Sequence, residues 1–256
     1  MHYLIAIILF LNLTVFCMAG ERELILAADP WCPYNCKEKS EQPGYLVDLA
    51  KEIYQQHGYT VKYKNLPWAR ALKYAKEGII HAAIGAVKGN RGDLYINKEI
   101  LGKDETVIVI RKGETFQFKG VSSLDGKRIG VITNYTYDNH GAIDKYIAER
   151  KKNEESALSV IHNQTALESL FKMLSTNRID LFFENKNVAY YKASQLNLSD
   201  RIEIINTGKG DEIFFAFTPN KQGRKLAEIL DIGVRELKKS GKFMEILDRY
   251  GLPPFD

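Results

Sequence analysis

The stretch PGYLVDLAKEIYQQHGYTVKYK, residues 43–64, decides the fold class because a helix pattern and a strand pattern follow each other within it. The apolar residues at 46, 49, 50 and 53 recur with helical spacing, so they share one face of a predicted helix that Gly58 ends. Residues 61–64 then alternate between apolar and polar side chains, which predicts a strand. A helix packed beside strands is the unit of an α/β fold.

The same alternation continues on both sides of this stretch. Residues 24–28 form a short apolar run that predicts the first strand. Downstream, Pro67 breaks the second strand, residues 71–75 predict a helix and residues 79–84 predict the third strand. This order predicts parallel strands that are covered by helices.

A second α/β unit follows the first. Residues 106–110 predict a strand before it, and the unit itself, about residues 115–206, has predicted strands at 128–133, 157–161 and 179–183, with helices expected from about residue 136 and from residue 165. Residues 213–217 predict one more strand, and two amphipathic helices come after it. The second unit is complete without these last helices, so we expect them to cover the first unit.

The two units predict a chain that leaves one lobe and returns to it. Lobe 1 is expected to contain residues 21–110 and 211–256, and lobe 2 residues 111–210. The predicted crossings are Val109–Gly113 and Asn206–Gly210. Two thin connections between compact units are typical of a hinge.

Composition and motifs exclude several classes of function. The formal net charge of +4 comes from 36 basic and 32 acidic residues spread along the chain, which is too little for a nucleic-acid-binding footprint. The sequence contains no phosphate-binding loop, no HExxH and no GxSxG motif. We therefore expect no nucleic-acid partner, no metal and no other cofactor. A binding function is favoured over an enzyme, which would have to use Glu184, with Asp29 as the next candidate.

The first twenty residues predict a secretory signal peptide. They carry no Lys, Arg, Asp or Glu and have an apolar centre from Tyr3 to Leu11, with cleavage expected near Ala19 or Gly20. An uncleaved membrane anchor is the alternative. Asn12 and Thr14 interrupt the apolar run, which is already shorter than the roughly 20 residues that a membrane span needs.

Removal of the leader leaves two cysteines, Cys32 and Cys36. In an oxidising compartment such a pair predicts a disulfide. A structural zinc site would need about four ligands, and no further Cys or nearby His supplies them. The ring is small and would stabilise the fold by only roughly 2 kcal/mol, so its main effect is to fix the shape of the loop.

The candidate binding residues follow the predicted strands, because ligands of open α/β sheets bind beyond the carboxyl ends of the strands. In the first unit they are Asp29, Trp31, Tyr34, Trp68, Arg70, Gly85, Ala86 and Arg91. In the second unit they are Tyr135, Thr136, Tyr137, Glu184 and Asn185.

These residue types suggest three kinds of contact. Trp31 and Tyr34 could form an aromatic platform, although such rings could equally close the top of a core. Arg91 and Arg70 could bind a carboxylate with two hydrogen bonds, although most arginines are solvated surface residues. Residues 135–137 are expected where a helix begins. The N–H groups of a first helical turn can donate to a bound anion, or simply to a capping side chain.

The motifs PGYLVDLAKEIYQQHG, HAAIGAVKGNR, SLDGKRIGVITNYTYDN, NRIDLFFENKNVAYY and KSGKFMEILDRYG occur in an order and spacing that resemble the family 3 extracellular solute-binding proteins. These are the periplasmic receptors of polar amino-acid uptake systems. The resemblance implies a two-lobed periplasmic binding protein type II fold with two hinge crossings. It also implies a monomer in the periplasm, an amino acid or a related carboxylate-bearing molecule as the ligand, and a membrane ABC permease as the partner.

The resemblance also implies roles for single residues. In that family an arginine after the third strand binds the ligand carboxylate, which here is Arg91, and residues corresponding to 135–137 add further contacts. The acid that receives the α-ammonium falls on Asn185 when counted from Asp180, with Glu184 one residue short. This departure, and GAVKGN in place of a Ser/Thr-rich segment, argue against an ordinary amino acid. A dehydratase-like enzyme and a ligand-sensing partner of a receptor are the alternative functions.

Overall fold

The computed structural model describes residues 22–163 and 165–255. The predicted signal peptide lies outside the described residues. Within the described part, no helix combines the length and the apolar character that crossing a membrane requires.

The described residues form nine strands and seven α-helices that alternate along most of the chain. The strands are β1 (Arg22–Ala28), β2 (Tyr59–Asn65), β3 (Ala82–Ala86), β4 (Tyr95–Ile96), β5 (Gly102–Arg111), β6 (Ile129–Ile132), β7 (Leu158–Ile161), β8 (Leu181–Asn185) and β9 (Ile202–Phe217). The helices are α1 (Tyr45–Gln55), α2 (Trp68–Lys76), α3 (Ala142–Lys152), α4 (Ala166–Ser175), α5 (Lys186–Gln195), α6 (Lys221–Ser240) and α7 (Lys242–Asp248). The predicted α/β class is confirmed.

The strands follow the order β2-β1-β3-β9-β5-β8-β6-β7, and β4 adds to β9. The pairs at both ends of this order are parallel, whereas β9 is antiparallel to β3 and to β5. We call the part built on β1–β4 the first lobe and the part built on β6–β8 the second lobe. Two long strands, β5 and β9, join the lobes.

The connection between the lobes is an antiparallel ribbon rather than two loops. β5 and β9 pair from Gly102 opposite Ile213 to Arg111 opposite Ile202, with one irregularity after Thr106. Pairing of β5 with β8 begins at Thr106. The lobe boundaries expected at residues 110 and 210 fall at the end of β5 and within β9, and they stay a prediction.

The C-terminal helices pack on the first lobe. The hydroxyl of Tyr54 in α1 donates to the carbonyl oxygen of Leu226 in α6 at 2.8 Å. Gly233 of α6 lies so close to Ile53 that a methyl group at this position would approach the isoleucine side chain to 2.5 Å. Close helix contact of this kind fixes α6 against α1 and leaves the carboxyl ends of β1 and β3 free to face the second lobe.

One predicted element is wrong, because α3 begins at Ala142 and not near residue 136. The preceding segment forms turns whose backbone N–H groups are satisfied by side chains. Asp144 accepts hydrogen bonds from the backbone nitrogens of Tyr137 at 2.8 Å and of His140 at 2.8 Å. Residues 135–137 therefore do not start a helix, and the N–H of Tyr137 is already occupied.

Candidate functional site

The loop after β1 is rigid and presents an aromatic pair. Its predicted disulfide between Cys32 and Cys36 is confirmed, with an S–S distance of 2.08 Å. The amide of Asn35 donates to the carbonyl oxygen of Asp29 at 2.7 Å, which ties the loop back to the end of β1. The ring of Trp31 stacks on the ring of Tyr34 with centroids 4.4 Å apart. Both rings are almost fully buried, so the loop holds Trp31 in one orientation.

A bulge at the end of β3 makes room beside this loop. The pairing of β3 with β9 shifts between Ile84 and Ala86, and Gly85 has a φ of 84°. A side chain at Gly85 would meet the amide oxygen of Asn35 at 2.9 Å. Glycine is required here both by the backbone conformation and by the close approach of the loop.

The loop, the bulge and the second lobe enclose a cavity of about 30 Å³. Its walls are Asp29, Trp31, Asn35, Trp68, Ile84, Gly85, Val87, Asn90, Asp104, Thr106, Tyr135, Thr136, Tyr137, Glu184 and Asn185. The volume admits a few water molecules at most. The structure is therefore a closed arrangement, and a larger solute requires the lobes to separate.

Direct hydrogen bonds across the cavity hold the two lobes together. The indole N–H of Trp31 donates to Oε1 of Glu184 at 2.8 Å. The hydroxyl of Tyr135 donates to Oδ2 of Asp29 at 2.6 Å. Each bond joins a residue at the end of β1 to a residue of the second lobe, so the lobes meet at the predicted strand ends.

Three carboxyl groups of the wall have raised pKa values. Burial raises the pKa of Glu184 to about 8, although the hydrogen bonds from Trp31 and from the backbone of Asn185 oppose the shift. Burial also raises the pKa of Asp29 to about 6, against the hydrogen bond from Tyr135. The pKa of Asp104 is likewise raised to about 6 by desolvation. Within the described residues, no Lys, Arg or His lines the cavity to offset these acids.

Several buried polar atoms of the wall have no hydrogen-bond partner. The acceptors are Oδ1 of Asn35 and Oε2 of Glu184, the donor is Nε1 of Trp68, and Oγ1 of Thr136 can act as either. Buried polar groups in native proteins are nearly always paired. Four such groups therefore border this one cavity.

Nine of the thirteen predicted site residues line the cavity, and four do not. Tyr34 lies behind Trp31, where its hydroxyl donates to the carbonyl oxygen of Lys103 at 3.0 Å. Ala86 is buried in the core and Arg70 is exposed on α2.

Arg91 also lies outside the cavity, and the carboxylate-binding role that the resemblance implies for it stays a prediction. Its guanidinium donates to the carbonyl oxygens of Leu94 at 2.7 Å and Gly92 at 3.2 Å. Arg91 instead faces an adjoining open cleft of about 610 Å³, which Lys73 and Lys151 also line. In this arrangement the arginine braces its own loop.

Asn185 lines the cavity, but both ends of its amide are used. Its oxygen accepts from the backbone nitrogen of Val188 at 3.1 Å and caps α5. Its nitrogen donates to Oδ1 of Asp104 at 2.9 Å and to the hydroxyl of Tyr34 at 3.2 Å. Asn185 therefore positions its neighbours, and the free carboxylate oxygen beside it belongs to Glu184.

Sequence reasoning missed several wall residues, above all Asn35, Asp104 and Thr106. Asn35 is part of the disulfide loop, so its proximity to Asp29 and Trp31 could have suggested it. Asp104 and Thr106 lie on the ribbon strand β5, where no strand end marks them.

The fold and the sequence can be compared with known proteins. A probable histidine-binding protein of Campylobacter jejuni is 24% identical over 227 residues, covering 86% of this chain and 81% of that protein. A histidine kinase sensor domain with similarity to periplasmic binding proteins superimposes with a TM-score of 0.75 at 19% identity, covering 91% of this chain and 99% of that one. An ancestral arginine-binding protein bound to glutamine gives a TM-score of 0.72 at 19% identity, covering 90% and 98%. These likenesses confirm the predicted two-lobed fold. Residues 24–253 match the bacterial extracellular solute-binding proteins, family 3, and the chain belongs to that family.

Proposed function

We propose that this protein is a periplasmic receptor that closes its two lobes on one small polar solute and delivers it to a membrane ABC permease. The observation that carries the proposal is the cavity between the lobes, which is closed by hydrogen bonds from Trp31 to Glu184 and from Tyr135 to Asp29. A solute bound there would touch both lobes at once. Such a solute favours the closed form, because the open form offers it only half of the contacts.

The remaining parts of the proposal follow from the same arrangement. Residues 1–20 act as a cleaved leader that directs the chain to the periplasm, where Cys32 and Cys36 are oxidised. The hinge is the β5–β9 ribbon, near the predicted boundaries at residues 110 and 210. The receptor works as a monomer, since each chain contains both halves of the cavity.

An enzyme on the same fold is the second candidate, and one observation favours it. Glu184 is buried, carries an unpaired oxygen and has its pKa raised to about 8, which is a state that a general acid could use. Within the described residues, however, no second base or nucleophile is paired with it at the cavity. Turnover of a solute that is lost in Glu184→Gln would establish the enzyme, and binding without turnover would exclude it for that solute.

A sensory role is the third candidate, because a sensor domain has the same fold. Uptake and sensing use the same closure, so binding data do not separate them. Growth of a strain that lacks this gene on the identified solute separates the two functions. Loss of growth supports delivery to a permease, whereas normal growth with a lost transcriptional response supports sensing.

Tryptophan fluorescence tests the proposal directly. The chain contains two tryptophans, Trp31 and Trp68, and both line the cavity. A screen of amino acids, amines, small peptides and organic acids should therefore give one class of solutes that changes the emission and raises the melting temperature. At a hundredfold excess over Kd the stabilisation is about 2.7 kcal/mol, or roughly 5 to 10 °C for a chain of this size.

A matched pair of variants controls this screen. Trp31→Ala should abolish the thermal shift, because the variant removes a wall of the cavity. Tyr190→Ala removes a ring that is 55% exposed on α5 and should leave the shift unchanged. A solute that stabilises both variants equally binds elsewhere, and the proposed site is then wrong.

A further inference from the structure

We propose that the solute is a cation without a carboxylate at its buried end, namely a protonated amine or guanidinium compound. The inference rests on the proposed function and deepens it by assigning the class of ligand. It departs from the carboxylate-bearing molecule that the sequence resemblance implies. Charge, unpaired atoms and aromatic walls each support it.

The charge of the cavity is one-sided. Asp29 after β1, Asp104 on β5 and Glu184 on β8 converge on it, and none of the cavity walls described by the structure carries a basic side chain. Buried carboxylates are stable only when they are paired or neutralised. A cationic ligand supplies the missing charge, whereas a carboxylate would add a fourth acidic group to an enclosed space.

Of the four unpaired atoms of the wall, two require hydrogen-bond donors from the ligand, Nε1 of Trp68 requires an acceptor, and Oγ1 of Thr136 can take either. Oδ1 of Asn35 can only accept, and Oε2 of Glu184 can only accept once a nearby cation favours the ionised glutamate; both atoms are buried without a partner. An ammonium offers three donors and a guanidinium five, and neither offers an acceptor. A carboxylate has no proton with which to satisfy either oxygen.

The aromatic side chains around these oxygens are also suited to a cation. Trp31, Trp68 and Tyr135 contribute to the same walls as the acids. The face of an aromatic ring attracts a cation, by about 0.5 to 2 kcal/mol depending on desolvation. The rings therefore bind the alkyl or cationic part of an amine while the acids bind its N–H groups.

Arg91, the residue that would bind a carboxylate, lies outside the cavity, where one guanidinium nitrogen is bonded to its own loop and Nε has no partner. Arg91 donates to Leu94 and Gly92 of its own loop and faces the open cleft. In this closed arrangement the arginine therefore lies outside the acidic cavity, in a cleft that adjoins it.

Pairs of compounds that differ in a single carboxylate test the inference. Binding of agmatine against L-arginine, cadaverine against L-lysine and histamine against L-histidine is measured by calorimetry and tryptophan fluorescence on the protein purified from the periplasm at pH 7.5. We expect at least one amine to bind tenfold or more tightly than its amino acid. An amino acid that binds as tightly as its amine, or more tightly, overturns the inference.

Glutamine, glutamate and succinate in the same panel separate the two levels of the proposal. If a neutral or anionic solute binds and no amine does, the inference about charge is overturned while the receptor function stands. If no compound of the panel changes the fluorescence, both are overturned.

Variants locate the binding of the amine. Glu184→Gln and Asp29→Asn should each weaken it by tenfold or more, whereas Glu203→Gln, which makes the same change at an exposed residue of β9, should leave it unchanged. Cooperative unfolding of each variant shows that the variant is folded. If Glu184→Gln does not fold, Asp29→Asn alone tests the inference. Equal affinity of all folded variants overturns the inference.

Discussion

Glu184→Gln should raise the free energy of unfolding of the ligand-free protein. The difference from wild type should grow as the pH rises. The carboxyl group is 2% exposed, and burial raises its pKa from the ordinary value of 4.5 to about 8. Glutamine keeps the oxygen that accepts from the indole N–H of Trp31 but cannot ionise. The variant therefore removes one titration and leaves the hydrogen bond across the cleft in place.

The sign and the size follow from proton linkage. Below pH 4.5 the carboxyl is protonated in both the folded and the unfolded chain, and it causes no penalty. Between pH 4.5 and about 8 the folded chain holds a proton that the unfolded chain has lost, so stability falls as the pH rises. Each pH unit is worth about 1.4 kcal/mol, which gives a penalty on the order of 3 kcal/mol at pH 7 and 5 kcal/mol above pH 8.

Separation of the lobes limits this penalty, because an open cleft lets water reach the carboxylate before the chain unfolds. The measured difference between variant and wild type is then capped at the free energy of opening. We expect it to rise by at least about 1 kcal/mol between pH 5 and pH 8.5, which is less than a single pH unit of linkage would give. Denaturant unfolding monitored by circular dichroism at several pH values measures it.

Charged and titratable neighbours of Glu184 are Asp29, Asp104, Tyr135 and Tyr137, and the variant leaves all of them in place. Glu203→Gln makes the same change at an exposed residue of β9 and is the control with which the pH dependence of Glu184→Gln is compared. A flat difference for Glu184→Gln, or one that shrinks as the pH rises, would refute the claim that this carboxyl is buried at high cost.

Three further predictions concern the loop, the cleft and the core. Tyr135→Phe removes the 2.6 Å bond to Asp29 and should weaken solute binding by about 1 to 2 kcal/mol in calorimetry, with equal affinity as the contrary result. Replacing Cys32 and Cys36 by serine should lower the free energy of unfolding by about 2 kcal/mol in denaturant titration, and an unchanged midpoint would show that the ring is not needed. Gly130→Ala forces a methyl group against buried side chains of the second lobe and should cost about 1 to 3 kcal/mol in the same assay, and an unchanged free energy of unfolding would contradict the close packing at this position.

The sequence predicts the strands and helices well where side chains face a single core. Residues 46 to 53 show the helical repeat because one face of α1 is buried, and 106–110 are recognisable because this part of β5 is buried. The first four residues of β5 are GKDE, and β9 contains NTGKGDE in its middle. These polar stretches form strands only because they pair with each other, so their own composition does not reveal the ribbon.

Sequence reasoning brings together residues that line one cavity, but it does not predict the charge of that cavity. The rule that ligands bind beyond strand ends brings Asp29, Trp31, Tyr135 and Glu184 together, as the cavity shows. The rule says nothing about which way a side chain turns. Arg91 turns toward carbonyl oxygens of its own loop, because those acceptors lie three residues or fewer away and cost little entropy to reach.

The acids of the cavity also explain why closure should depend on the solute. Asp29 approaches from the first lobe and Glu184 from the second, and their mutual repulsion contributes to the raised pKa of Glu184. Without a ligand, closing the lobes brings these groups together and removes water from them, so the closed form must take up a proton or bear unpaired charge. A bound cation reverses both costs, because it attracts the two carboxylates at once. A neutral solute does not reverse these costs. For the same number of contacts it should therefore shift the equilibrium between the open and closed forms less, since a ligand moves that equilibrium only by binding one form more tightly than the other.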